Sequence, residues 1–256
     1  MRHSGGHSAA AVAALLVLFV TGAVTPLDAQ DASDWLRVSI VHVVPERFED
    51  YIELQIAEVN PALQQADIGW RSAWRTAEFG DSYQLQFITP LRDLADYDVG
   101  GPLARVMRPD RFQRLADRLR RATVSRHVHV AQYHPELSVE TDDLGSQSLA
   151  RVSTLQIAPG RVADWIAFLR KNREEFRGAG VAFGVYQRMF GPGPTSWLVV
   201  ENHASFTELI RPSIIVRAFG DDADSVAAEL AGVVLSVERA VLRYDPELSY
   251  TSIPPR

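Results

Sequence analysis

The sequence predicts an α+β fold made of two copies of one module, each with the element order β-α-β-β-α-β. The first observation is a repeated phrase: residues 38–54 read VSIVHVVPERFEDYIEL and residues 152–169 read VSTLQIAPGRVADWIAFL, with six identities at a constant offset of 114 residues. The second is a repeated ending, Tyr-X-Pro-Glu-Leu-Ser, at residues 133–138 and 244–249. The third is an apolar pattern that switches between strand and helix periods in the same order after each phrase.

These patterns divide the chain into five predicted segments. They are a signal peptide (1–29), a first module (30–138), a linker (139–148), a second module (149–250) and a loose C-terminal tail (251–256). The linker is assigned because VETDDLGSQS, the sequence of residues 139–148, is polar and acidic and lacks any period.

The first 29 residues predict export. Arg2 and His3 precede an apolar run over residues 9–20, and the small Ala29 stands at a plausible cleavage point before Gln30. These are the features of a secretory signal peptide, and the run is too short to span a bilayer as a helix. We therefore expect a soluble mature protein in the periplasm or outside the cell, with no membrane span.

The composition narrows the classes of partner. The 256 residues include no cysteine, which excludes disulfides and thiolate-based metal or catalytic sites. The 26 basic and 32 acidic residues give a net charge of -6, and the chain has no basic block. This balance argues against nucleic acid and anionic membrane surfaces as partners. No cofactor is predicted from the composition.

The first module begins with a strand and an amphipathic helix. Residues 35–44 alternate and are rich in β-branched side chains, and Pro45 ends the strand and suits a helix start. The apolar positions then recur every three or four residues, which predicts one helix face: Phe48, Tyr51, Ile52, Ile56, Val59 and Leu63. Pro61 predicts a kink within this helix. The module continues with a hairpin, a helix and a strand, over residues 69–79, 82–89, 109–122 and 125–133.

The second module follows the same order. A strand over residues 150–158 precedes a helix whose apolar face includes Val162, Trp165, Ile166 and Leu169. A hairpin over residues 181–190 and 196–202 is joined by the turn Gly-Pro-Gly-Pro. Two further helical segments and a last strand are predicted over residues 206–219, 225–234 and 235–244, with Pro212 interrupting the first of them.

This element order is that of a ferredoxin-like sandwich, in which helices cover one face of an antiparallel sheet. The other face needs a cover, and a second copy in the same chain supplies one. We therefore predict two tandem ferredoxin-like modules packed into an intramolecular α/β barrel, as a monomer with an internal pseudo-dimer.

On this element order and duplication, the chain resembles the dimeric α/β-barrel superfamily in a fused, tandem form, over residues 36–249. The superfamily includes NIPSNAP-type domains, antibiotic-biosynthesis-type monooxygenases and the fused modules of chlorite-dismutase-like haem proteins. Its monooxygenase members bind flat aromatic substrates between sheet and helices and use oxygen chemistry without a bound cofactor. The resemblance implies the fold more than the function, because one fold hosts many activities.

Three histidines suggest a metal or haem site. In the strand order usual for this fold the first and fourth strands are antiparallel neighbours, which brings His42 near His127 and His129, and three imidazoles suit a metal ion. The second module has Gln156, Glu238 and Ala240 at the matching places. A structural role in hydrogen bonding is therefore the favoured alternative.

A second set of side chains suggests an apolar ligand pocket: Trp70, Trp74, Tyr83, Phe87, Arg75, Tyr186 and Trp197. Ordinary core packing is the favoured alternative for each aromatic residue. Trp74 and Tyr186 occupy equivalent positions in the two modules, as do Tyr83 and Trp197, and a packing requirement recurs in both copies. Arg71 and Arg75 share one strand face, where they could hold a carboxylate ligand. The preferred interpretation is a solvated edge strand.

The sequence predicts an exported protein that binds a small, partly apolar molecule in a cavity of the barrel or beneath the helices. One alternative is an enzyme, either a cofactor-independent monooxygenase or a protein with a histidine-based metal or haem site. Another alternative is a purely structural or interaction module.

Overall fold

The computed structural model describes residues 35–91, 94–140, 148–191 and 195–251. The predicted signal peptide, most of the predicted linker and most of the predicted tail lie outside these ranges. Among the described residues, no helix is long and apolar enough to cross a membrane.

The strands follow the alternating segments of the sequence to within a few residues. They are β1 (Trp35–Val43), β2 (Trp70–Thr76), β3 (Gln84–Pro90), β4 (Thr123–Tyr133), β5 (Leu149–Ile157), β6 (Gly184–Phe190), β7 (Trp197–His203), β8 (Val234–Tyr244) and the short β9 (Tyr250–Thr251). The α-helices are α1 (Phe48–Leu54), α2 (Asn60–Gln65), α3 (Gly101–Val106), α4 (Pro109–Arg121), α5 (Val162–Gly178), α6 (Phe206–Leu209), α7 (Ile214–Phe219) and α8 (Ala223–Ala228).

Eight of these strands form a closed antiparallel barrel. Their order is β3-β1-β4-β6-β7-β5-β8-β2, and pairing of β2 with β3 closes the ring. The order β4-β1-β3-β2 in the first half recurs as β8-β5-β7-β6 in the second. Two seams join the halves, where Val130–Tyr133 pairs with β6 and Trp74–Thr76 pairs with β8. The predicted α+β class and the antiparallel barrel are confirmed.

The helices pack on the outer face of the barrel. Alternate side chains along each strand point to opposite faces, and the outward-pointing set contacts the helices. In the first half Val41 and Val43 of β1 pack against Tyr51 and Ile52 of α1. In the second half the long helix α5 packs on β5, β6 and β7 through a continuous aromatic and aliphatic core that includes Trp165, Phe176 and Trp197. Each half of the barrel therefore has one layer of side chains between its strands and its helices.

A π-helical turn over Gln55–Val59 joins α1 to α2. The backbone N–H of Asn60 donates to the carbonyl of Gln55, five residues earlier. The extra residue in this turn rotates the helix face, so Gln55 is buried while Ile56 is 41 % exposed. The prediction that Ile56 belongs to the apolar face was therefore wrong. The wide turn precedes Pro61, which lacks an N–H and would crowd the carbonyl four residues before it.

The second half also differs from prediction after β7. Residues 206–219 form two short helices, α6 and α7, with Pro212 between them. The helix predicted over residues 225–234 ends earlier, because α8 stops at Ala228 and Gly232 adopts a positive φ of 70° before β8. The first residue of the predicted linker, Val139, is buried and pairs with Phe183 in an isolated bridge.

Candidate functional site

A cavity of about 650 Å³ lies between the sheet and the helices of the first half. Its volume is within the range of small-molecule sites. Outward-facing side chains of β1 to β4 line one side, and the helices from α1 to α4 line the other. The apolar part of this lining includes Val59, Leu63, Ile68, Phe87, Leu103, Phe112, Leu115 and Leu119. The polar part includes Arg37, Ser39, Tyr51, Gln55, Arg71, Thr89, Tyr97 and Arg126.

Arg71 of β2 is the most deeply buried charged side chain of this lining, with 5 % of its surface exposed. Its Nη2 donates to Gln55 Oε1 at 2.7 Å and its Nη1 donates to Asn60 Oδ1. The guanidinium lies over the ring of Phe87, with Cζ 3.9 Å from the ring centroid. Arg71 Nε has no hydrogen-bond partner among the described residues. Neutral amide oxygens therefore hold a buried cation.

The π-helical turn supplies these amide oxygens. It turns Gln55 inward toward Arg71, and Asn60 follows at the start of α2. Asn60 Nδ2 in turn donates to the carbonyl of Leu248 at 3.2 Å, which ties α2 to the C-terminal end of the chain. π-helical turns of this kind occur frequently at functional sites. The π-helical turn therefore positions the amide oxygens that bind the guanidinium of Arg71.

Burial dominates the electrostatics of the cavity. Desolvation lowers the pKa of Arg71 to about 10, although Tyr51 and Tyr250 nearby act in the opposite direction. Burial also lowers the pKa of Arg37 and raises the pKa of Tyr51. Arg126 Nε donates to Ser39 Oγ at 3.2 Å. Arg71 therefore stays cationic at neutral pH, and Tyr51 stays a neutral phenol.

The corresponding layer of the second half is filled. Trp165, Phe168 and Phe176 of α5 pack against Phe183 before β6 and Trp197 of β7. The rings of Phe176 and Phe183 meet edge to face at 5.2 Å, and those of Trp165 and Trp197 at 6.5 Å. The second half therefore has an aromatic core in the layer where the first half has the cavity.

Of the seven side chains predicted to contact a ligand, Phe87 alone lines the cavity. Trp197 is buried in the second-half core, and Tyr186 packs on Tyr133 with ring centroids 5.1 Å apart. Trp74 donates to Ser72 Oγ at 2.6 Å and contacts Tyr244. The other three also lie outside the lining: Trp70 at the start of β2, Tyr83 against Phe48, and Arg75 in an ion pair with the buried carboxylate of Asp245.

The three histidines share one sheet face but do not form a cluster. His127 lies opposite Ile40, His129 opposite Val38, and His42 opposite Ser125. His129 is buried, and burial together with Arg188 lowers its pKa to about 4. Among the described residues no three His, Cys, Asp or Glu side chains could hold a metal ion. No described histidine lines the cavity, so the cavity offers no imidazole to a haem iron.

Sequence reasoning missed the residues that give the cavity its charge. The preferred interpretation of Arg71 as part of a solvated edge was wrong, because Arg71 is buried under α1 and α2. Gln55 gave no signal, since the helix period placed it off the apolar face. Arg37 has a visible signal in the repeated sequence pattern, because Arg151 stands 114 residues after it.

The similarity of this chain to known proteins is limited to the fold. No family model matches the sequence, and no curated protein matches it. A candidate monooxygenase from Lactobacillus acidophilus NCFM matches the structure with a TM-score of 0.53 at 10% identity, over 85% of this chain and 96% of that one. An anthrone oxidase-like protein matches with a TM-score of 0.54 at 10% identity, over 87% and 94%.

A candidate monooxygenase from Fusobacterium nucleatum matches with a TM-score of 0.50 at 8% identity, over 82% of this chain and 91% of that one. At sequence identities this low, structural similarity shows a shared fold and does not show a shared function. The chain has the ferredoxin-like α/β-barrel fold of these proteins.

Proposed function

We propose that the first-half cavity binds a small, partly apolar molecule. The observation that carries the proposal is the contrast between the halves, since one layer holds a cavity of about 650 Å³ and the other is filled by aromatic core. Interiors normally pack without large voids. A void of this size with a few convergent polar groups is the usual form of a ligand site.

The proposal includes the architecture and the compartment. The chain is a tandem fusion of two ferredoxin-like modules, which act as an internal pseudo-dimer within a monomer. The repeated phrase and the shared strand order of the two halves support this. The N-terminal 29 residues direct export, on the strength of their sequence pattern. N-terminal sequencing of the protein recovered from outside the cytoplasm tests the export, with Gln30 expected as the first residue.

Native mass spectrometry of the protein purified from a bacterial host tests the cavity. We expect an organic adduct on the wild-type chain that is lost in Ala116→Trp, because Ala116 lines the cavity and an indole there would fill it. Ala167→Trp on the exposed side of α5 is the matched control and should keep the adduct. A wild-type chain that carries no adduct and binds no compound of a flat aromatic panel in thermal melts would contradict the proposal.

An enzyme remains the second candidate, because structural neighbours are described as candidate monooxygenases and as anthrone oxidase-like. In this version the same cavity holds a flat aromatic substrate for oxidation by dioxygen without a bound cofactor. Oxygen consumption with anthrone as the substrate is the direct test. Saturable uptake that Ala116→Trp abolishes would favour the enzyme, and uptake no faster than in buffer would leave binding as the function.

A further inference from the structure

We infer that the ligand of the first-half cavity is an organic carboxylate with a flat apolar body, and that Arg71 is its anion-binding residue. The inference rests on the proposed function and deepens it by naming the chemical class of the ligand. Its first support is Arg71 itself. A buried guanidinium is normally paired with a carboxylate, because removing the charge from water costs several kcal/mol. Arg71 is buried, yet among the described residues its hydrogen bonds go to the neutral oxygens of Asn60 and Gln55.

The second support is the sum of charge around the cavity. Arg37, Arg71, Arg120 and Arg126 line it, whereas none of its described lining residues is Asp or Glu. Arg120 is balanced by Asp117 at 2.7 Å, whereas Arg126 donates to the neutral hydroxyl of Ser39. Composition does not explain this excess, because the whole chain carries six more acidic than basic residues. The cavity is a local positive site in an acidic protein, which favours an anion.

The third support is an internal comparison between the two copies. Arg151 stands 114 residues after Arg37. Glu201 lies opposite Arg151 in the pairing of β5 with β7, where Thr89 lies opposite Arg37 in the pairing of β1 with β3. In the second half Arg151 Nη2 donates to both carboxylate oxygens of Glu201, at 2.7 and 2.8 Å. Arg217 donates to the same carboxylate at 2.7 Å. The second copy thus carries its own carboxylate where the first copy has the uncharged Thr89 in the cavity lining, and only the first copy leaves room for one from outside.

The lining indicates which kind of anion fits. A guanidinium presents its N–H groups in a plane that matches a carboxylate. Arg71 Nε is a donor without a partner among the described residues, on a buried side chain that lines the cavity. Phe87, Phe112 and Leu115 line the same space and suit a flat apolar body. A carboxylate on such a body satisfies both parts of the lining at once.

A matched pair of probes separates charge from shape. 2-Naphthoate and 2-naphthamide have nearly the same outline, but only the first is an anion at neutral pH. By isothermal titration calorimetry we expect 2-naphthoate to bind at least about tenfold more tightly, as a desolvated charge-assisted pair requires. Arg71→Gln should remove most of this preference. Arg111→Gln loses the same charge from an exposed position of α4 outside the cavity lining, and it should keep the preference.

Further variants keep the test decisive. Arg71→Lys retains the cation and should retain a smaller preference for the acid. If Arg71→Gln does not fold, Arg37→Gln takes its place and should lower the preference. Equal affinity for the acid and the amide in the wild-type chain would overturn the carboxylate inference and leave the cavity function intact. Binding of neither probe would count against the cavity function itself. A preference unchanged in every Arg71 and Arg37 variant would remove these arginines from the site.

Discussion

Arg71 and His129 are both buried basic side chains, but they differ in protonation state at neutral pH. The guanidinium of Arg71 keeps its proton at neutral pH despite burial, because the pKa of about 10 is still well above that range. The imidazole of His129 is held neutral, because burial and the nearby Arg188 lower its pKa to about 4. Its Nε2 has no hydrogen-bond partner among the described residues. One side chain is therefore a fixed cation at a cavity, and the other is a titratable group in the barrel wall.

The His129 pKa predicts a pH dependence of stability. The unfolded chain takes up the proton near pH 6.5, whereas the folded chain takes it up only near pH 4. The contribution of His129 to the free energy of unfolding should therefore be fully present above pH 6.5. It should decrease as the pH falls toward 4, by as much as about 3 kcal/mol. Urea unfolding at a series of pH values measures the decrease.

His129→Asn should flatten this pH profile, while His127→Asn on the same strand, at an exposed position, should leave it in place. Some decrease should remain in His129→Asn, because burial lowers the pKa of His203 in the same direction. A profile with the same slope in His129→Asn and the wild-type chain would contradict the prediction.

At the scale of elements, the π-helical turn decides which side chains of the first helix meet the sheet. It predicts opposite outcomes for two isoleucines one turn apart. Ile52 is 7 % exposed and packs against Tyr51 and Val41, so Ile52→Ala should lower the free energy of unfolding by about 2–5 kcal/mol. Ile56 is 41 % exposed, so Ile56→Ala should cost less than about 1 kcal/mol. Chemical denaturation measures both, and equal losses would show that the turn is regular α-helix.

The strands and the long helices could be predicted from the sequence, because alternating and helical apolar periods are local signals. The turn over Gln55–Val59 could not, because Val59 and Leu63 continue the helical apolar spacing in the sequence and are buried in the structure, so the spacing does not reveal the extra residue. For the same reason Gln55 was not recognised as a buried residue. Arg71 was misjudged because an arginine in an alternating strand is usually solvated, and only the packed helices show that α1 and α2 cover it. Phe87 was found because aromatic residues in strands are normal candidates for both core and pocket.

At the scale of the whole molecule, the seam between β4 and β6 that helps to close the barrel depends on close backbone approach. At the end of β6, Gly191 adopts a φ of 129°, and a Cβ there would lie 2.5 Å from His129 Cβ of β4. Gly191→Ala should therefore strain the seam between β4 and β6 and lower the free energy of unfolding by more than about 1 kcal/mol. Gly178→Ala is the control, because Gly178 ends α5 with a negative φ and a methyl group there would meet nothing within 4 Å. Thermal melts in which both variants match the wild-type chain would contradict this account of the seam.

The asymmetry between the halves is also a property of the whole molecule. A repeated sequence explains why both halves have the same strand order, but it does not show which half keeps a cavity. That difference arises from the larger side chains of the second half, such as Trp165 and Trp197, and from its internal pair of Arg151 and Glu201.

The measurement that tests the central claim most directly is nitrogen NMR of the arginine Nε–H groups with 2-naphthoate added. The Arg71 signal is identified as the one missing from the spectrum of Arg71→Lys. We expect this signal to shift and to exchange more slowly with solvent as 2-naphthoate binds, because the buried Nε gains an acceptor, and to respond much less to 2-naphthamide. An Arg71 signal that stays unchanged at saturating 2-naphthoate would contradict the claim that this cavity holds an anion against Arg71.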